Sequence, residues 1–97
     1  MELLAGTDYE IEEFQLSRDP LHLMEIRGRS LAELELGHRS GAMVLAIREN
    51  GKLIANPGGD TQMAPGQLLI VLGSKTQLAT FQSLLGEAVD TIETMPG

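Results

Sequence analysis

The 97-residue chain contains no cysteine and no tryptophan. Without cysteine it has no disulfide, no thiolate nucleophile and no sulfur-ligated metal, so the fold must rest on its apolar core and on any partner. That composition fits a cytoplasmic setting. Aromatic residues make up 3%, which leaves little to stack on bases, and 14 acidic against 7 basic side chains give a net charge of -7 that repels phosphate backbones. The expectation is therefore no nucleic-acid partner. No apolar run approaches the roughly 20 residues of a membrane-spanning helix, and Met1 to Gly6 has neither the basic start nor the apolar core of a signal peptide. No direct membrane insertion is expected, and a soluble piece of a larger membrane protein would show the same pattern.

What the chain does have is 42% hydrophobic and 22% charged residues at a length that holds one domain. Residues 1–9 read as a linker remnant, 10–86 as the domain and 87–97 as a C-terminal tail. A strand is expected from about Glu10 to Leu16. Tyr9 and Ile11 have the opposite parity from Phe14 and Leu16, which a bulge or a start near Glu12 would reconcile. After the turn cluster Ser17 to Pro20, "LHLMEI" (Leu21 to Ile26) reads as a second extended segment.

"SLAELELG" opens on a capping box, Ser30 with Glu33, and Gly37 supplies its left-handed stop, leaving Leu31 and Leu34 as core contacts. In "AMVLAIRENGKLIAN" the pair Asn50-Gly51 suits a type I′ turn, which sets Glu49 opposite Lys52, Arg48 opposite Leu53 and Ile47 opposite Ile54. One face then carries Met43, Leu45, Ile47 and Ile54, and the other Val44, Ala46, Arg48, Leu53 and Ala55. Two largely apolar faces imply that the hairpin is covered twice, once by its own core and once by something else. "LLIVLG" is a buried strand, and Ser74 with Gln77 caps a helix from Lys75 to about Leu85 whose stripe is Leu78, Phe81 and Leu85. The fold class is α+β, a small mostly antiparallel sheet with a short helix and a longer C-terminal helix in β-α-β-β-β-α order.

Catalytic groupings do not emerge. Asp60 with Glu49 or Glu87 has no accompanying nucleophile, and isolated carboxylates in an acidic chain are usually solvated. His22 and His38 lack metal-ligand spacing, while Glu10, Glu12 and Glu13 read as a solvated strand face, with a partner-completed divalent cation site as the alternative. No serine sits in a Gly-x-Ser-x-Gly elbow, and no phosphate-binding glycine loop is present. An enzyme is not expected. Five of the seven basic residues, Arg27, Arg29, Arg39, Arg48 and Lys52, fall between positions 27 and 52, so a local positive surface can meet an anionic ligand despite the net charge.

Taken in order, a glycine with a capped short helix (Gly28, Ser30 to Leu34), a glycine with an apolar strand (Gly41 to Ile47), a basic residue and turn (Arg48 to Gly51), then Pro57, Asp60, Met63, Gly66 and Leu68 to Gly73 resemble the C-terminal lobe of the regulator of potassium conductance domain, also called the TrkA-C domain. The resemblance spans roughly Glu10 to Leu85. It departs at Gln67, where the family usually has an acid, and this substitution is expected to weaken a turn contact.

The resemblance implies a regulatory, ligand-sensing module at the cytoplasmic face of the membrane, attached to or associated with a potassium channel or uptake system. It further implies homodimers or higher assemblies whose cleft in some members binds cyclic di-AMP. The family's ligand contacts map onto Ile47, Arg48, Asn56 and Pro57, and Arg48 comes near the Asn-Pro pair only if the sheet folds over or a second copy joins it. The alternative function is a structural dimerisation module of an ion transporter with no ligand of its own.

Overall fold

The computed structural model describes residues 6–90 of the chain. Four antiparallel strands form one sheet, β1 (Tyr9–Gln15), β2 (Met43–Glu49), β3 (Lys52–Ala55) and β4 (Leu68–Ser74), in the order β1-β4-β2-β3. Two short helices, α1 (Leu31–Leu34) and α2 (Leu36–Ser40), and the longer α3 (Lys75–Leu85) pack on one face. This is the expected α+β fold, with the short helix divided in two.

Both capping boxes are made. Ser30 accepts from the Glu33 amide while Glu33 accepts from the Ser30 amide, and Ser74 and Gln77 repeat the exchange at α3. These contacts satisfy helix amides that would otherwise lack partners. The two bonds from Ser30 also hold the Glu33 carboxyl below its usual value, with a smaller contribution from Arg29, because they favour the charged form. The resulting stability is present at neutral pH and is lost as pH falls through the lowered folded value. Glu33→Ala should therefore unfold at lower urea than the parent at neutral pH, and the two midpoints should converge in acid. A gap that persists unchanged in acid would contradict this role.

The helix stop lies elsewhere than expected. Glu35 takes the left-handed conformation (φ 52°), Gly37 falls inside α2, and the left-handed residue that ends α2 is Gly41 (φ 82°). A side chain cannot avoid strain at Gly41, where a Cβ would stand 2.8 Å from the Gln77 side-chain nitrogen. The early break at Glu35 turns Leu36 into the core at 2% exposure, while Leu31 and Leu34 are partly buried against it.

"LHLMEI" is not extended. Pro20 starts a 3-10 turn, Pro20–Leu23, capped by Asp19, whose side chain accepts from the Leu21 amide. Proline's fixed φ suits a first helical position, and this local signal overrides the apolar alternation. Leu23 and Ile26 enter the core, whereas Leu21 and Met24 stay exposed.

In β1 no bulge is present: the pairing with β4 runs unbroken from Tyr9↔Ser74 to Gln15↔Leu68. Tyr9 and Ile11 simply face away from the helices, and Phe14 faces them. The bulge falls in β2 instead, between Val44 and Ala46. It moves Val44 onto the face of Ile47 and Met43 onto the opposite face with Ala46 and Arg48, because opposed residues share a face and one extra residue inverts parity. The expected grouping of Met43 and Leu45 with Ile47 is thereby corrected.

The inner face packs Phe14, Ile47, Leu69 and Val71 against Leu78, Phe81 and Leu85. On the outer face Tyr9, Ile11, Met43 and Leu53 are exposed, at 50%, 54%, 60% and 57%. No helix among the described residues covers this face or is long and apolar enough to cross a membrane. The chain past Gly86 continues the fold: Ala88 is buried, Val89 bridges Leu16, and the Asp90 amide donates to the Gln15 carbonyl. The remainder of the expected linker and tail, residues 1–5 and 91–97, lies outside the described residues.

Candidate functional site

The Asn50-Gly51 turn has positive φ at both residues (51° and 77°), and the β2–β3 register is Glu49↔Lys52, Arg48↔Leu53, Ile47↔Ile54. Arg48 thus sits on the outer face, beside Leu68 of β4, with Gln15 of β1 completing the row. These residues floor a cleft of about 450 Å³ at the hairpin tip. Arg18 lines the same cleft. It is brought there by the loop before β4, where the Gly66 amide donates to the Ser17 carbonyl at 3.1 Å. Two arginines and one carboxylate, Glu49, therefore line one opening of an otherwise acidic chain, a net positive arrangement that favours anions. Of the basic residues between 27 and 52, Arg48 alone lines this cleft. Arg18 carries no local sequence signal, since only the loop crossing joins it to Arg48.

Gln67 organises the loop beside this cleft. Its amide nitrogen donates to the Glu49 carboxylate and to the Gln62 carbonyl, and its amide oxygen accepts from Ala64. The turn contact expected to weaken is made in full, because an amide can donate to Glu49 where a second carboxylate would repel it. Ala64-Pro65-Gly66-Gln67 is the expected corner, with Gly66 at φ 82° as a type II turn requires.

Asn56 and Pro57 stand elsewhere. Asn56 is exposed and left-handed (φ 49°), its amide donating to the Leu45 carbonyl at 2.8 Å. The following loop is tied to α1, whose Leu31 and Ala32 amides donate to the Thr61 and Gly59 carbonyls. With Leu31, Leu36, Met43 and Val44, the Asn-Pro pair lines a second opening of about 480 Å³. Arg48 pairs with Leu53, three residues before Asn56, so the two openings are separated by about 10 Å along the strand. Ile47 is fully buried on the inner face, so its side chain holds the floor of the sheet rather than reaching either opening.

The carboxylates do not gather. The β1 register places Glu13 on the outer face and Glu10 and Glu12 on the inner one, and no group of three metal-ligating side chains converges among the described residues. His22 instead pairs with Ser17 through Nδ1 at 3.1 Å and lies 3.9 Å from Asp19.

Comparison with known proteins places this geometry. The RCK_C domain dimer of S. agalactiae BusR in complex with c-di-AMP is 28% identical, with a TM-score of 0.67 over 77% of this chain and 93% of that one. The GsuK channel is 28% identical with a TM-score of 0.69, over 90% of this chain and 15% of that one. The RCK C domain of the potassium transport protein KtrA, in complex with c-di-AMP, shares the fold at 21% identity and a TM-score of 0.66, over 77% of this chain and 81% of that one. BusR also stands in complex with its busAB-promotor DNA, in a structure of which this chain covers 36%. The expectation of no nucleic-acid partner is therefore withdrawn for any longer protein that carries such a lobe. No curated protein sequence matches the chain. Residues 25–86, more than half of the chain, match the TrkA-C domain model, and the chain belongs to that family, the C-terminal lobe of regulators of potassium conductance.

Proposed function

We propose that this domain is the ligand-sensing lobe of a potassium channel or potassium uptake system on the cytoplasmic side of the membrane, and that it works as a pair. The observation that carries this reading is the split site. Arg48 and the Asn56-Pro57 pair open into separate clefts of one chain, while the apolar outer face beside them, with Met43 and Leu53, has no cover among the described residues. A second copy can supply what one chain lacks. The chemistry suits a dianionic nucleotide such as cyclic di-AMP: Arg48 and Arg18 offer charge-assisted donors to phosphate, and the aliphatic surface takes the purine faces.

Ligand binding then favours one arrangement of the paired lobes, and that difference in affinity biases the attached transporter. Titration calorimetry of the domain with cyclic di-AMP, ATP and magnesium tests the ligand class. Saturable heat with cyclic di-AMP alone is expected. Silence toward all three from a stable dimer would support instead the structural dimerisation module without a ligand.

A further inference from the structure

We propose that Gln67 is a positioning residue for the arginine cleft: its buried side-chain amide holds the Glu49 carboxylate away from Arg18 and Arg48 and keeps both guanidinium groups open to an anion. This rests on the anionic-ligand reading above and names what sets the strength of that site.

Glu49, Arg18 and Arg48 line the same cleft. A carboxylate beside two guanidinium groups ordinarily pairs with one of them, since the pair gains a charge-assisted hydrogen bond. Here it does not. Among the described residues the one ion pair joins His22 to Asp19, and neither arginine has a carboxylate within ion-pair distance. Lys52 stands opposite Glu49 across the hairpin but forms no ion pair with it either. Instead Glu49 Oε2 accepts from Gln67 Nε2 at 2.5 Å.

The Gln67 side chain is fixed on every polar atom. It is 1% exposed, its Oε1 accepts from the Ala64 amide at 2.9 Å, and its Nε2 also donates to the Gln62 carbonyl at 3.0 Å. Both hydrogens of the amide are thereby committed. Glu49 is only half-buried at the end of β2, and both arginines are exposed, so nothing but this bond keeps the three charged groups apart. A carboxyl at position 67 could still accept from Ala64, but ionised it has no hydrogen to offer Glu49 and would push that group toward the arginines. A released Glu49 competes with phosphate for the same donors.

Gln67→Met and Glu49→Gln, made singly and together, test this. The first keeps side-chain length and removes the donor; the second removes the charge and leaves an oxygen for Gln67 to hold. In cyclic di-AMP titrations Gln67→Met should weaken binding by about twofold to fivefold, the worth of one exposed ion pair set up in competition. Adding Glu49→Gln should restore the parental affinity. The bond lost at Ala64 is the same with either residue at position 49, so it cancels from the comparison. A loss that Glu49→Gln does not restore would make Gln67 a loop residue only and overturn the proposal.

Hydrogen exchange at the arginine Nε groups gives a second reading that needs no ligand. Arg18 and Arg48 should exchange at equal rates in the parent and in Glu49→Gln, whereas in Gln67→Met at least one should slow several-fold as Glu49 reaches it. Unchanged rates in a folded Gln67→Met would overturn the proposal. So would faster exchange in Glu49→Gln than in the parent, which would mean that Glu49 already pairs with an arginine; this arm decides if Gln67→Met fails to fold. Silence toward cyclic di-AMP with the exchange pattern as expected would overturn the ligand reading and support the hold on Glu49.

Discussion

Phe81→Ala should destabilise this domain by about 3–5 kcal/mol, the range for removing a large aromatic side chain from a packed interior. Phe81 is fully buried at the middle of α3, and its ring centroid lies 5.1 Å from that of Phe14 on β1. It therefore joins the helix to the strand farthest from the hairpin, and its loss leaves a void in the core that also holds Leu69, Leu78 and Leu85. Small domains have total stabilities of about 5–15 kcal/mol. A variant losing this much should show a large drop in urea midpoint with an unchanged slope. A shift equivalent to less than about 1 kcal/mol would mean that the core collapses around the missing ring.

The second large effect concerns the ligand. Arg48→Ala should weaken cyclic di-AMP by about tenfold to a hundredfold, corresponding to one charge-assisted hydrogen bond, with little change in unfolding midpoint. The guanidinium is exposed at the hairpin tip and belongs to no core contact, so affinity and stability separate cleanly. Arg48→Lys should fall between, because an ammonium keeps the charge but loses the planar fork. Calorimetric titration of the three proteins reads this directly. Equal affinity in all three would remove Arg48 from the site.

The parts of this fold legible in the sequence are those fixed by neighbours. Ser30 with Glu33 and Ser74 with Gln77 are complete local devices, and Asn50-Gly51 admits a tight turn whose register follows from its length. Where two local signals competed, the stronger was not always the more visible. The apolar alternation of "LHLMEI" pointed to a strand, but Asp19 and Pro20 start a helical turn ahead of it. Gly37 looked like the helix stop because glycine favours a left-handed residue, yet Glu35 takes that conformation and Gly37 continues into α2. The bulge at Leu45 has no glycine or proline to mark it, and a bulge shifts every side chain beyond it to the other face.

The candidate site was legible at one end. Arg48 stands out as a basic residue ending an apolar strand and Asn56-Pro57 through the family resemblance, and the structure keeps them in different openings. Arg18 was not legible, since 30 positions separate it from Arg48 in the chain and their approach depends on how the loop before β4 crosses the sheet. Gln67 appeared as a lost acid, but its meaning depends on Glu49 across the loop.

The central claim is that the ligand site belongs to two chains. Titration of cyclic di-AMP by calorimetry, with sedimentation of the same samples, tests it most directly. One ligand per two chains and a shift toward dimer on binding are the predicted results, and saturation at one ligand per chain on a monomer would contradict the account.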